Sequence, residues 1–164
     1  SKENHLHKIL EKDFMTEGFE MKIINRSISG DTTTDGLARL EETLKIKDID
    51  LIILGLGAND MLRGIDTSII KQNLEEIIKR VQNKNIEILF TGMVATTSRG
   101  LSYKKIFDQI YEDLSKEYKL NYMPFLLKGV ALKPEYNQPD GIHPNFEGLK
   151  KISKNLKKNI ICIM

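Results

Sequence analysis

The feature that most constrains the fold is an uninterrupted apolar run, Leu-Ile-Ile-Leu at residues 51–54. Continuous runs of this kind are typical of strands buried on both faces of a parallel sheet. A second, largely apolar run covers residues 86–90, and between the two lies a longer segment with helical spacing, which carries Ile70, Leu74 and Ile77. This alternation of strand and helix predicts an α/β fold, with a parallel sheet and helices on both faces.

The same patterns divide the rest of the chain. We expect strands at residues 21–25, 51–54, 86–90 and 121–124. We expect helices at residues 3–14, from about residue 34 with Thr34 or Asp35 as the cap, from the cap Asp66, at 102–119, at 125–132 and from about Asn145. The remaining segments 27–34, 55–64, 91–100 and 134–144 are then loops. These loops matter most, because ligands bind outside the carboxyl ends of the strands in open α/β sheets.

Length and charge narrow the class of protein. A chain of 164 residues suits one domain, spanning 1–164, with one core. A net charge of +2, with 40% hydrophobic and 29% charged residues, gives no reason to expect nucleic acid or an anionic membrane as partner. No stretch has the apolar length that spans a bilayer, so stable membrane insertion is not expected. The single cysteine, Cys162, is interpreted as a packing residue.

No metal or cofactor is predicted. His5 and His7 point to different faces of a helix, and His143 lies on a separate loop, so no cluster of metal ligands forms. Gly55 and Gly57 lack the third glycine of a dinucleotide-binding loop. The lysine-rich last helix is interpreted as a solvated face, with a weak attraction to anionic lipid as the lesser alternative.

The loop at residues 134–144 carries the first candidate for chemistry. Asp140 precedes His143 by three residues, just ahead of a predicted helix. Gly141 permits a sharp turn, and Pro144 keeps His143 out of helical geometry. Such a loop can bring the carboxylate to one ring nitrogen, which is the base and its orienting group in a hydrolytic triad. Taken alone, the same residues also suit a plain turn before a helix.

Two other loops add candidates for an oxyanion site. Asn59 follows the most hydrophobic strand, where its side-chain N–H can point at a developing negative charge. Gly30 follows the preceding strand and can offer an uncrowded backbone N–H to the same oxygen. Each also has a simpler interpretation, since Asn59 suits a turn and Gly30 a loop position with positive φ.

Together, three segments resemble the SGNH hydrolases, and within them the bacterial acyl-CoA thioesterase, lysophospholipase and arylesterase group. They are Ile-Ser-Gly-Asp-Thr at 28–32, Gly-Ala-Asn-Asp-Met-Leu-Arg-Gly at 57–64 and Asp-Gly-Ile-His-Pro at 140–144. Each is weak alone, but they follow the family's order over nearly the whole chain. The resemblance implies a three-layer α/β/α, flavodoxin-like fold, no metal or cofactor, and a small acyl ester or lipid-like substrate.

The resemblance also implies roles for single residues. Gly30 and Asn59 correspond to oxyanion donors, His143 to the general base and Asp140 to the residue that orients it. The segment after Asn59 resembles the mobile segment beside the family's acyl site, which implies substrate contacts for Asp60, Met61, Leu62 and Arg63.

One family motif is absent. The family's first motif, Gly-Asp-Ser after an N-terminal strand, supplies the nucleophile, and no Gly-Asp-Ser occurs in this sequence. Ser29, Ser98 and Ser102 are set aside as substitutes, since none lies in a nucleophile elbow. We therefore expect an N-terminally truncated domain, with the nucleophile and any export signal upstream of Ser1. The compartment stays open, and the resemblance is compatible with a bacterial periplasm.

Loss of that strand has a structural consequence. The family's sheet order is 2-1-3-4-5, so residues 21–25 and 51–54 would face a gap or pair directly. Unpaired backbone groups are costly, and we expect the chain alone to be unstable or prone to aggregation. The leading hypothesis is hydrolysis of carboxylic esters or thioesters through a serine acyl-enzyme. The alternative is a catalytically silent protein of the same fold that keeps the acyl pocket; the oligomeric state stays open.

Overall fold

A computed structural model describes residues 5–141 and 143–164. The described residues form two compact units, one made of residues 5–25, 126–141 and 143–164 and the other of Arg26–Phe125. The single domain expected over 1–164 stays a prediction.

The sheet belongs to the unit of residues 26–125. Its three strands are β1 (Leu51–Leu54), β2 (Glu87–Thr91) and β3 (Asn121–Met123), in the order β1-β2-β3. Both pairings are parallel. β1 has its predicted bounds, and β2 begins and ends one residue later than predicted. Helices occupy the two connections between the strands, α5 (Thr67–Gln82) and α6 (Leu101–Glu117). The predicted α/β class with a parallel sheet is confirmed.

Packing of β2 against the two long helices builds the core of this unit. Phe90 on β2, Ile78 on α5 and Leu114 on α6 are fully buried. α5 begins at its predicted cap, because the Asp66 side chain accepts a hydrogen bond from the Ser68 N–H. The apolar face read from the sequence therefore lies where the helical period places it.

Three short helices precede β1 or follow it. The cap of the first and the presence of the third were not predicted from the sequence. The three helices are α2 (Thr33–Ala38), α3 (Leu40–Leu44) and α4 (Ala58–Arg63). The predicted cap of α2 is wrong: Thr32 is the cap and Asp35 completes a capping box with it. α4 lies inside the predicted loop 55–64. Gly57 and Gly64 bound it in left-handed conformations, with φ of 113° and 68°.

The other unit is built on the two terminal helices, α1 (Leu6–Met15) and α7 (Phe146–Ile161). Phe14 on α1 and Ile152 on α7 are buried in their packing. The buried Ser153 hydroxyl donates to the Asp13 carboxylate at 2.5 Å. Asn145 caps α7 as predicted, by accepting a bond from the Gly148 N–H.

Two predicted elements of this unit are wrong. Residues 19–28 form neither helix nor strand, and the Ile23 N–H donates to a Glu11 carboxylate oxygen at 2.8 Å instead of to a neighbouring strand. Residues 126–132 form turns where a short helix was predicted. Gly129 and Leu132 have φ of 76° and 61°, which interrupts any helix there.

β1 is an edge strand of the described sheet. Among the described residues, no strand pairs with its second side. The prediction that β1 is buried on both faces is wrong, since Ile53 is 37% exposed while Leu54 is buried. A strand with one neighbour has a free row of backbone groups and less cover for its side chains.

Candidate active site

The loop after the short 3₁₀ turn Pro134–Tyr136 brings Asp140 and His143 together. His143 Nδ1 lies 2.7 Å from one carboxylate oxygen of Asp140, and the His143 backbone N–H donates to the other at 3.0 Å. Gly141 makes the turn between them, with φ of 70°. Since an ionised carboxylate only accepts, Nδ1 carries the proton and Nε2 is left as the basic nitrogen. Within residues 5–141 and 143–164, Nε2 has no hydrogen-bonding partner.

Asparagines on both sides hold this loop in place. The buried Asn137 side chain donates to the carbonyls of Val130 and Lys133, each at 2.8 Å. The Asn145 side chain donates to the Glu135 carbonyl at 3.0 Å and the Asn137 carbonyl at 3.2 Å. The two ends of the loop are therefore fixed, while the side chains of His143 and Asp140 stay 64% and 44% exposed.

In the other unit, α4 is bonded to residues 30–33. Asn59 Nδ2 donates to the Asp31 carbonyl at 2.8 Å, and Arg63 Nη2 donates to the Gly30 carbonyl at 2.8 Å. An amide nitrogen carries two hydrogens, so the Asn59 side chain keeps one to donate. Gly30 has a φ of 90°, and within the described part of the chain its N–H meets no protein acceptor. Both predicted oxyanion donors thus lie on segments that bond to each other.

The buried side chain of Asp60 also joins α4 to residues 30–33. It is 0% exposed. One carboxylate oxygen accepts from the Thr33 N–H at 2.8 Å and the other from the Thr33 hydroxyl at 2.6 Å. The Asn73 amide on α5 donates to the hydroxyls of Thr33 and Thr34 at 3.1 Å and 2.9 Å. A buried carboxylate is tolerated when its oxygens are bonded in this way.

Beneath α4, Gly57 lies against the hydroxyl of Tyr111. A Cβ at Gly57 would lie 2.0 Å from that hydroxyl oxygen, which itself donates to the Leu56 carbonyl at 2.8 Å. Burial, and secondarily the nearby charge of Asp60, raises the pKa of Tyr111 well above its usual value. Tyr111 therefore stays a neutral hydrogen-bond donor and fixes the backbone just before Asn59.

The four residues predicted to contact substrate face different surroundings. Asp60 bonds to Thr33, and Met61 is 7% exposed within the core. Arg63 bonds to Gly30, and Leu62 is 50% exposed. Arg99, from the loop before α6, donates to the Leu62 carbonyl and so links that loop to α4. Leu62 is the member of the four that offers apolar side-chain surface to solvent.

The described residues contain no group of three or more histidine, cysteine, aspartate or glutamate side chains able to hold a metal ion. In the described part of the chain, no helix has the length and apolar character needed to cross a membrane. The Ser98 hydroxyl bonds to the Thr96 hydroxyl at 2.7 Å.

Two kinds of contact at this site were not predicted. The capping box of Thr32 and Asp35 was readable from its spacing, and the Thr32 hydroxyl and N–H hold the pKa of the Asp35 carboxyl below its usual value. The bonds of Thr33 to Asp60 and Asn73 had no local signal, because these partners are distant in sequence.

Comparison with known proteins places the chain among acylhydrolases. Residues 4–151 match the model of the GDSL-like lipase/acylhydrolase family. An arylesterase of Vibrio mimicus is 33% identical over 153 residues, which are 93% of this chain and 76% of that protein. Thioesterase 1/protease 1/lysophospholipase L1 of Escherichia coli K12 is 37% identical over 138 residues, 84% of this chain and 66% of that protein.

Solved structures agree with these sequence matches. The crystal structure of TesA superposes with a TM-score of 0.93 at 29% identity, covering 100% of this chain and 91% of that one. The psychrotrophic esterase EstA from Pseudoalteromonas sp. superposes with a TM-score of 0.94 at 27% identity, covering 99% and 89%. The predicted SGNH-type fold and the predicted relationship to arylesterases, thioesterases and lysophospholipases are confirmed. The chain belongs to the GDSL-like lipase/acylhydrolase family.

Proposed function

We propose that this chain supplies the acid–base pair and the oxyanion donors of a serine enzyme that hydrolyses carboxylic esters or thioesters. The observation that carries the proposal is the bond between Asp140 and His143 Nδ1, in a member of an acylhydrolase family. A carboxylate on Nδ1 fixes the tautomer in which Nε2 can accept a proton.

The first half of the reaction forms an acyl-enzyme. His143 Nε2 takes the hydroxyl proton of a serine as the serine oxygen bonds to the ester carbonyl carbon. The carbonyl oxygen becomes an oxyanion, to which the Gly30 N–H and the Asn59 amide donate, each worth about 3 kcal/mol in the transition state. The tetrahedral intermediate then collapses, and the alcohol or thiol leaves with the proton carried by His143.

The second half releases the acid. His143 takes a proton from water as the water oxygen bonds to the acyl carbon, and the same donors stabilise the second oxyanion. Cleavage of the bond to serine returns the proton from His143 to the serine oxygen. Asp140 stabilises the imidazolium that forms in each half.

In this proposal the nucleophile follows a strand that lies upstream of this sequence. The sequence holds no Gly-Asp-Ser, the motif that follows the first strand in the family the chain resembles. The free side of β1 supports the placement, because its backbone groups can accept a parallel strand. The aligned part spans 76% and 66% of the lengths of the two named relatives, so both have residues outside the aligned part.

The proposed substrate is a small acyl ester or a lipid-like ester or thioester. The relatives' names include arylesterase, thioesterase and lysophospholipase. The esters and thioesters that such names denote share an acyl group and differ in the leaving group. Leu62 supplies exposed apolar surface on the turn that also holds Asn59, and it is the proposed contact for the acyl chain.

A second candidate is a catalytically silent acyl-binding protein. The absence of Gly-Asp-Ser from the sequence favours it specifically, because a triad without its nucleophile cannot form an acyl-enzyme.

Turnover of p-nitrophenyl butyrate decides between the two. We expect no turnover by the 164-residue chain, and turnover once its own upstream coding sequence is restored and supplies Gly-Asp-Ser. The matched control carries the same extension with alanine in place of that serine and should be inactive. Turnover by the chain alone would contradict the placement of the nucleophile. An upstream sequence without the motif, or an inactive extended protein that still binds ester, would favour the silent protein.

A further inference from the structure

We propose that Asp60 is a positioning residue, which holds residues 30–33 against α4 so that the Gly30 N–H and the Asn59 amide keep a fixed separation. The chemical purpose of that separation rests on the proposed function. The positioning itself rests on contacts within one unit of the protein.

Burial argues against a substrate contact for Asp60. Both carboxylate oxygens accept hydrogen bonds from Thr33, and the residue is 0% exposed. Taking a carboxylate out of water is costly, so its presence requires bonds that compensate. A substrate that bound Asp60 would have to displace Thr33 first.

The bonds of α4 form a set of cross-links. Asn59 bonds to the carbonyl of Asp31 and Arg63 to the carbonyl of Gly30, while Asp60 takes both donors of Thr33. The short helix α4 thus bonds to residues 30–33 at three places, and we call this set of contacts the clamp. Asp60 is the buried member of this set, and Arg63 is exposed at its rim.

The clamp is needed because the backbone of Gly30 is flexible. Its φ of 90° is available to glycine at low cost, but glycine also visits many other conformations. Oxyanion donors must stay within about 0.5 Å of their working positions to be effective. A bond on the Thr33 side and another on the Gly30 side restrict the peptide groups between them.

A series of variants separates positioning from plain stabilisation. Asp60→Asn replaces one acceptor with a donor, and Thr33→Val removes the hydroxyl but keeps the N–H bonded to Asp60. Thr33→Ser keeps both donors. Asp48→Asn is the control for lost charge, at an exposed site whose φ of 59° suits asparagine.

Nuclear magnetic resonance on the chain extended by its own upstream coding sequence is the first readout. We expect Asp60→Asn and, less strongly, Thr33→Val to shift and broaden the signals of the Gly30 N–H and the Asn59 side-chain amide. In Asp60→Asn the Thr33 N–H should exchange with solvent at least about tenfold faster. Thr33→Ser and Asp48→Asn should resemble the wild type. If Asp60→Asn does not fold, Thr33→Val decides. A folded variant with a lower melting temperature and unchanged Gly30 and Asn59 signals would overturn the proposal.

Ester turnover in the serine-containing protein is the second readout. Because misplaced donors act in the transition state, Asp60→Asn should lower kcat about 10- to 100-fold and leave KM nearly unchanged. Thr33→Ser should retain the wild-type kcat. A rise in KM with unchanged kcat would show that Asp60 serves substrate binding and would overturn the proposal. If the wild-type protein has no turnover, the proposed function fails, and the resonance data still decide whether Asp60 positions the two donors.

Discussion

The clamp between α4 and residues 30–33 and the loop that carries His143 differ in how they hold their polar groups. In the clamp, Asp60 is 0% exposed and bonds to a residue far away in sequence. In the loop, Asp140 and His143 are 44% and 64% exposed and are three residues apart. Long-range contacts in the core fix the first region, whereas local contacts at the surface fix the second.

The proposed chemistry gives this difference a meaning. Oxyanion donors act by being in place before charge develops, so any freedom they have is lost stabilisation. A general base must instead gain and lose protons in every turnover, and it needs access to the leaving group and to water. Stability and catalysis should therefore separate between the two regions.

The largest expected effect comes from the loop. In the serine-containing protein, His143→Ala should reduce kcat for p-nitrophenyl butyrate by about 10³- to 10⁴-fold, because it removes the proton carrier. The melting temperature should hardly change, since the side chain is exposed. His5→Ala is the matched control and should keep full activity. Retained turnover in His143→Ala would remove His143 from the mechanism, and a large loss of stability would break the comparison.

A smaller effect is expected from a donor in the clamp. Asn59→Ala should lower kcat about 10²- to 10³-fold, because one donor to the oxyanion is lost. It should also lower the free energy of unfolding by about 1 kcal/mol, through loss of the bond to the Asp31 carbonyl. Asn83→Ala, at an exposed position after α5, should change neither quantity. Steady-state kinetics and denaturant unfolding measure the two; an unchanged kcat would exclude Asn59 as a donor.

Replacing one glycine in each region tests the comparison through the free energy of unfolding alone. Gly57→Ala should cost about 3 kcal/mol or more, because a φ of 113° is strained for alanine and the new Cβ meets the Tyr111 hydroxyl at 2.0 Å. Gly141→Ala has a φ of 70°, with no atom of the described residues within 4 Å of the new Cβ, and should cost only about 1–2 kcal/mol. Urea denaturation of both variants measures the difference. Equal losses would mean that the core around α4 yields as easily as the surface loop.

Local patterns predicted the parts of the fold that local physics determines. The apolar run of β1, the Asp66 cap of α5 and the Asn145 cap of α7 were all readable, since each depends on neighbouring residues. The strand at residues 21–25 was wrong, because strand formation needs a bonded neighbour that sequence alone does not guarantee. α4 was missed because its two bounding glycines also suit a loop.

In the candidate site, too, the contacts between residues near in sequence were predictable and those between distant residues were not. The bond between Asp140 and His143 was predictable from their spacing, as was the helix start that follows it. The bond between Asp60 and Thr33 was not, since it joins segments that the fold brings together. The resemblance implied a substrate contact for Asp60, and the positioning role proposed above rests instead on its bonds to Thr33.

The contact between Gly57 and Tyr111 also bears on how related sequences can diverge. Because the tyrosine hydroxyl occupies the space that a side chain at residue 57 would need, the two positions cannot vary independently. A shorter side chain at 111 would relieve the clash but would remove the donor to the Leu56 carbonyl, and the φ of 113° at residue 57 would still favour glycine. Among homologues, glycine should therefore persist at residue 57, and the combination of alanine at 57 with tyrosine at 111 should be rare.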